Sequence, residues 1–198
     1  DELGDFYIQD MQKNNISTCI FRNSDMQTGV PLALVSPDGE RTFATNLGAA
    51  ITLSADNIGQ SLFEGCEYLH IEGYLISNHD LFEKIITCGR QAGCKISIDL
   101  ASYNVVEENL DYLKRVCKGV HIIFANEEEA KAFSGKEAEE ALEYIAQYAD
   151  IAVVKVGAKG SLISSQGKVV KVGETLRNKI DTTGAGDLYA GGFLAGLC

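Results

Sequence analysis

Apolar positions recur at helical spacing in the first fourteen residues, where Leu3, Phe6, Tyr7 and Met11 mark one face of a helix that Asn14-Asn15 ends. From 16 to 21 the pattern changes to alternation among β-formers and predicts a strand. Segments 28–35 and 40–46 read the same way, and Ser36-Pro37-Asp38-Gly39 between them predicts a hairpin turn. Proline presets φ for such a turn, and glycine takes the φ that other residues avoid. Three strands with no helix between them predict an antiparallel arrangement.

After residue 53 the pattern alternates between the two periods. Ser54 is a candidate N-cap for a helix reaching 63. Strands are predicted at 68–71, 95–100, 120–124 and 151–156, with helices at 78–91, 105–116, 127–133 and 136–148. A hairpin follows, 160–164 and 168–172 over Ser165-Gln166-Gly167, and a last helix spans 187–198. Strands separated by helices at this spacing imply βαβ units. The predicted class is α/β, a parallel sheet flanked by helices in three layers, with a small antiparallel β part. We read 1–198 as a single domain, with the antiparallel strands over 16–46 and the α/β core over 54–198.

Composition narrows the partners. The 198 residues are 45% hydrophobic, enough for a substantial core, and carry a formal net charge of -11. That balance argues against a nucleic-acid backbone or an anionic membrane as main partner, because both need clustered Lys and Arg. The six cysteines form no C-x-x-C pair, which favours free thiols in a reducing compartment, and the three histidines share no ligand spacing. Asp1-Glu2 opens no leader pattern, and no run approaches the ~18 apolar residues of a membrane span. The expectation is a soluble, cytoplasmic protein.

The chemistry concentrates near the C-terminal end, in Asp181-Thr182-Thr183-Gly184-Ala185-Gly186-Asp187. A Gly-Ala-Gly turn feeding a helix lets backbone approach a ligand closely and aims N–H groups and the positive end of the helix dipole at one point. Asp187, in the first turn, is placed to take a proton from a hydroxyl while a phosphoryl group is held beside it. Dipole preference alone also accounts for an acid there. A Walker loop is absent, and a dinucleotide fingerprint starting at Gly184 fails at Tyr189. Four further stretches lie at or near strand ends. Asn126-Glu127-Glu128-Glu129 follows the strand at 120–124 and reads as a capping box. Val153 to Gly160 ends a buried strand in Gly157-Ala158-Lys159-Gly160, which a tight turn alone explains. Asp99 and, more weakly, Glu72 close two other strands, and both could simply cap loops.

Asp-Thr-Thr-Gly-Ala-Gly-Asp closely resembles the signature of the ribokinase-like (PfkB) sugar and nucleoside kinases, and the other motifs fall in that family's order from 28 to 197. The stretch from Gly39 to Ala50, with Thr28-Gly29, resembles the lid of its adenosine-kinase-like branch. The resemblance implies a ribokinase-like fold and an ATP-dependent kinase acting on an alcohol hydroxyl of a sugar or nucleoside. It implies Asp187 as catalytic base, the N–H groups of Gly184, Ala185 and Gly186 as anion hole, and Asn126 with Glu129 placing Mg2+ through water. It further implies Lys155, Gly157 and Gly160 on the nucleotide side, although Ser or Thr is more usual at 155. Arg41 becomes the lid group facing substrate or phosphate, and Asp181 with Thr183 a candidate K+ site. The family's N-terminal acceptor strands and C-terminal adenine loop would lie outside residues 1–198, and a homodimer through the lid fits an uncovered sheet edge. Two rivals stay open: a non-catalytic nucleotide- or sugar-binding protein of the same fold, and a Rossmann-type oxidoreductase, which lacks its glycine motif.

Overall fold

The computed structural model describes residues 1–36, 41–173 and 182–198, and of Arg41 the backbone alone. The chain divides into two compact units, Asp1–Asn57 and Ile58–Cys198.

In the first unit, α1 (Glu2–Lys13) is capped by Asp1, whose Oδ1 accepts from the Gly4 N–H at 2.9 Å. The same carboxylate accepts from the Thr28 N–H at 2.8 Å and the Thr28 hydroxyl at 2.7 Å, which fixes the helix start to the first strand. β1 (Thr28–Val35) pairs antiparallel with β2 (Arg41–Gly48), Val35 opposite Arg41. The predicted hairpin turn lies, beyond Ser36, outside the described residues. The strand predicted at 16–21 does not form. Its alternation is a local preference, and β structure needs a partner edge that these residues do not find. Leu32, Leu34, Phe43 and Leu47 of the β1–β2 ribbon are exposed.

The helix predicted from Ser54 to 63 is replaced by short 3-10 turns at Ala55–Asn57 and Gln60–Phe63. The expected cap runs in reverse, since the Asn57 side chain accepts from both the N–H and the hydroxyl of Ser54. Gly59 then interrupts the run in an extended conformation.

The second unit is built on a six-stranded sheet. Its first four strands, β3 (Tyr68–Glu72), β4 (Lys95–Asp99), β5 (Val120–Asn126) and β6 (Ala149–Lys155), run parallel. β7 (Ser161–Ser165) and β8 (Lys168–Val172) continue it antiparallel. Their hairpin turns over Gln166 and Gly167, both at positive φ, which suits the twist of a two-residue loop. The helices are α2 (His79–Gln91), α3 (Tyr103–Glu108), α4 (Leu110–Val116), α5 (Glu127–Ser134), α6 (Ala138–Ile145) and α7 (Ala185–Ala195). The single helix predicted over 105–116 is broken at Asn109, whose side-chain amide donates to the Val105 carbonyl at 3.0 Å and offers the backbone an alternative to helix.

Strand residues alternate between the two faces. Ile122, Phe124 and Val153 form one core with Ala190 of α7, joined by Tyr189, Phe193 and Leu194. Phe124 meets the Phe193 ring edge-on at 5.3 Å. Ile123, Ala125, Ala152 and Val154, on the alternate positions, are buried too, as are Phe133 of α5 and Leu142 and Ile145 of α6. The result is the expected α/β architecture: a mainly parallel sheet flanked by helices, with a small antiparallel ribbon in the other unit.

Candidate active site

Each of the four parallel strands ends on a polar residue: Glu72, Asp99, Asn126 and Lys155. Register sets Glu72 beside Asp99 and Asn126 beside Lys155, so the four line one carboxyl edge. Ligands of open α/β sheets gather at such an edge.

A part-buried ion pair there joins β6 to β4. Lys155 Nζ lies 2.7 Å from Asp99 Oδ2, with the side chains only 17% and 11% exposed. Charges this far from water persist only when each satisfies the other. The second Asp99 oxygen accepts from the Ala101 N–H at 3.0 Å, across a turn in which Ala101 holds a φ of 67°. Next to it, His70 Nδ1 and Ser97 Oγ lie 2.9 Å apart. His70 Nε2 is 3.7 Å from Glu72. The neighbouring His70 imidazole holds the Glu72 carboxyl below the usual carboxylate range, against the opposing effect of burial. The sequence marked Asp99 and Lys155 separately but not as a pair; the available signal was a charge closing each of two otherwise buried strands.

Asn126 and Glu129 form a complete capping box at the start of α5. The Glu129 N–H donates to Asn126 Oδ1 at 2.8 Å, while the Asn126 N–H and side-chain amide donate to the two Glu129 oxygens at 2.7 and 2.6 Å. Glu129 is 2% exposed, and burial pushes its carboxyl up to about 7. With one donor already on each oxygen, this carboxylate suits a hydrated hard cation reached through water rather than direct ligation. Among the described residues no group of three or more His, Cys, Asp or Glu side chains is placed to hold a metal.

The Gly-rich stretch forms the other side. Gly184 sits at the N-cap of α7 in the left-handed region, φ 72°, with no side chain bonded across the helix start. The site therefore lacks the side-chain acceptor that caps α2, α3 and α5. Asp187 is exposed, and its Oδ2 lies 3.7 Å from where a Cβ on Gly184 would stand. Lys155 Nζ lies 3.4 Å from the corresponding point on Gly186. Lys155 thus joins the strand edge to the glycine turn. The Ala185 N–H donates to the Thr182 carbonyl at 3.1 Å, so an anion here would share that donor. α7 is further fixed to the sheet by the Tyr189 hydroxyl, which donates to Ser161 Oγ at 2.7 Å.

The remaining candidates are less concentrated. Gly157 has φ 55° and open space around it. Gly160, at φ 93°, has a packing reason of its own, because a Cβ there would run into the Val172 carbonyl. Thr183 lies in the turn before Gly184. Asp181 and the Arg41 side chain lie outside the described residues, so the K+ and lid assignments built on them gain nothing from the geometry. No described helix is long and apolar enough to cross a membrane.

The sequence matches the model for "pfkB family carbohydrate kinase" over residues 1–198. It is 28% identical to adenosine kinase of Saccharomyces cerevisiae over 214 residues, covering 100% of this chain and 63% of that protein. The fold superposes on adenosine kinase from Sinorhizobium meliloti with a TM-score of 0.92 at 28% identity, covering 100% of this chain and 63% of the other. An E. coli structure described as a ribokinase II in complex with ATP and Mg2+ matches with a TM-score of 0.81 at 24% identity, covering 98% of this chain and 66% of the other. The chain thus spans less than two thirds of each of these proteins.

Proposed function

This chain belongs to the pfkB family of carbohydrate kinases, and from that premise we propose that the protein moves the γ-phosphoryl of ATP to an alcohol hydroxyl of a sugar or nucleoside. The observation that carries the reading is local. An exposed carboxylate, Asp187, stands over a glycine-opened helix start with no side-chain cap, beside the Lys155 ammonium. An alcohol and a phosphoryl group need those two environments next to each other.

In this reading Asp187 orients the acceptor hydroxyl and takes its proton late, because the transition state is loose. The N–H groups of Gly184, Ala185 and Gly186, at the positive end of α7, face the phosphoryl oxygens. Lys155 adds a fixed cation on the same side. Gly157 leaves room for the nucleotide. Asn126 and Glu129 would hold a hydrated Mg2+ through water, and the ion supplies charge neutralisation on the phosphate oxygens. The ATP and Mg2+ named for the E. coli structure support that choice of cofactors. The adenosine kinases among the relatives favour a nucleoside acceptor. Residues 16–46 remain the candidate lid of one kinase domain, Arg41 its candidate substrate or phosphate group, and pairing between lids a route to a dimer. Asp181 and Thr183 remain the candidate K+ ligands.

The test is ADP production by the full-length protein with ATP and Mg2+ against adenosine, other nucleosides, ribose and fructose. Turnover with one acceptor class supports the proposal. Thermal stabilisation by ATP with no ADP formed from any acceptor would replace it with the non-catalytic binding protein.

A further inference from the structure

We propose that Asp99 is a positioning residue: it holds the Lys155 ammonium against the Gly184–Gly186 turn so that a triphosphate meets a cation already in place. The inference deepens the kinase reading and rests on it for the identity of the ligand, but not for the geometry.

A lysine at this point is electrostatically out of place. Its Nζ lies 3.4 Å from where a Gly186 Cβ would be, at the N-terminal end of α7, where the helix dipole is positive. A free ammonium on a flexible four-carbon stem would turn away from that end toward water. Asp99 Oδ2, at 2.7 Å, keeps it there. The carboxylate cannot drift to meet it, because Oδ1 is engaged by the Ala101 N–H at 3.0 Å across the strained turn, and the pair is largely shielded from solvent. One ammonium proton points at Asp99. The other two, with the Gly186 backbone beside them, leave donor capacity for an anion. Glu129 and Glu72 also feel Lys155 electrostatically, yet among the described residues the ammonium donates to Asp99.

The alternative is a buried ion pair that only holds β4 to β6. The two readings separate by sign. Asp99→Asn keeps an oxygen for the Ala101 N–H and removes a negative charge from beside the anion site. If Asp99 were only a nearby charge, an anion should then bind more tightly. If it positions Lys155, binding should weaken. The experiment is calorimetric titration of sodium tripolyphosphate, without metal, into the full-length wild type, Asp99→Asn, Lys155→Met and the double variant, with melting temperatures recorded for each. We expect Lys155→Met to weaken binding by about tenfold or more. Asp99→Asn should weaken it at least about threefold, and should weaken it no further in the Lys155→Met background. Should Lys155→Met alone fold poorly, the sign of the Asp99→Asn change against wild type still decides, and the double variant, which leaves no unpaired charge, shows whether any affinity remains without Lys155. Unchanged or tighter binding by Asp99→Asn, or equal losses in both backgrounds, overturns the proposal while leaving the kinase reading standing. Wild-type protein that binds tripolyphosphate with the expected coupling, yet makes no ADP from any acceptor, overturns the kinase reading and keeps this one.

Discussion

Glu129 should make the stability of this protein fall as pH rises through neutrality. Its carboxyl is displaced from 4.5 to about 7, chiefly by burial, with Asp99 acting in the same direction and the Asn126 backbone donor and Lys155 against it. Below the unfolded value both states hold the proton and the group contributes nothing. Between the two values the folded state binds the proton more tightly, so raising pH costs stability. Above about 7 the cost is complete, about 3 kcal/mol at ~1.4 kcal/mol per unit. Between about pH 5 and about pH 8 some 2.5 kcal/mol of that should appear, roughly. Glu129→Gln cannot titrate. It also replaces one of the two oxygens that accept from Asn126 with a donor, a pH-independent loss of about 1–3 kcal/mol. The informative quantity is therefore the change in the wild-type minus variant difference, read from urea unfolding across that range with chelator present. The Glu72 carboxyl, displaced the other way, cancels in this difference. Curves that stay parallel within about 0.5 kcal/mol would show that Glu129 ionises normally, and the buried capping box would need another description.

Three substitutions test the backbone that frames the site. Ala101→Gly removes the left-handed strain at φ 67° and should stabilise the protein by about 0.5–1 kcal/mol after the added unfolded-state entropy, measured by denaturant midpoint. A destabilised variant would mean the Ala101 methyl packs productively. Gly160→Ala should cost more than about 2 kcal/mol, because positive φ and the Val172 carbonyl both oppose a Cβ. Gly157→Ala should cost only the φ term, about 1–2 kcal/mol. Equal losses at the two glycines would contradict the distinct environments described for them.

The sequence carried the βαβ order well, because four apolar strands flanked by turn signals and amphipathic helices leave little choice of architecture. It also marked Asn126 with Glu129 and the Gly184 to Asp187 turn, since caps and glycine turns are local and readable at fixed offsets. What it could not carry was non-local. Residues 16–21 alternate like a strand but have no edge to join, and nothing within the segment says so. Ser54 reads as a cap until Asn57 takes the acceptor role. The Asp99–Lys155 pair spans β4 and β6, and only the parallel register, which places both strand ends on one edge, brings the charges together. Gly160 illustrates the converse: a glycine attributed to nucleotide approach has a sufficient cause in its own hairpin.

The central claim is that Asp187 serves the incoming hydroxyl beside a glycine-built phosphate cradle. The most direct measurement is the steady-state rate of ADP formation by full-length Asp187→Asn with its best acceptor, alongside ATP affinity. The account predicts turnover lowered by ~10²–10⁴ with ATP binding retained. Near wild-type turnover in that variant would contradict it.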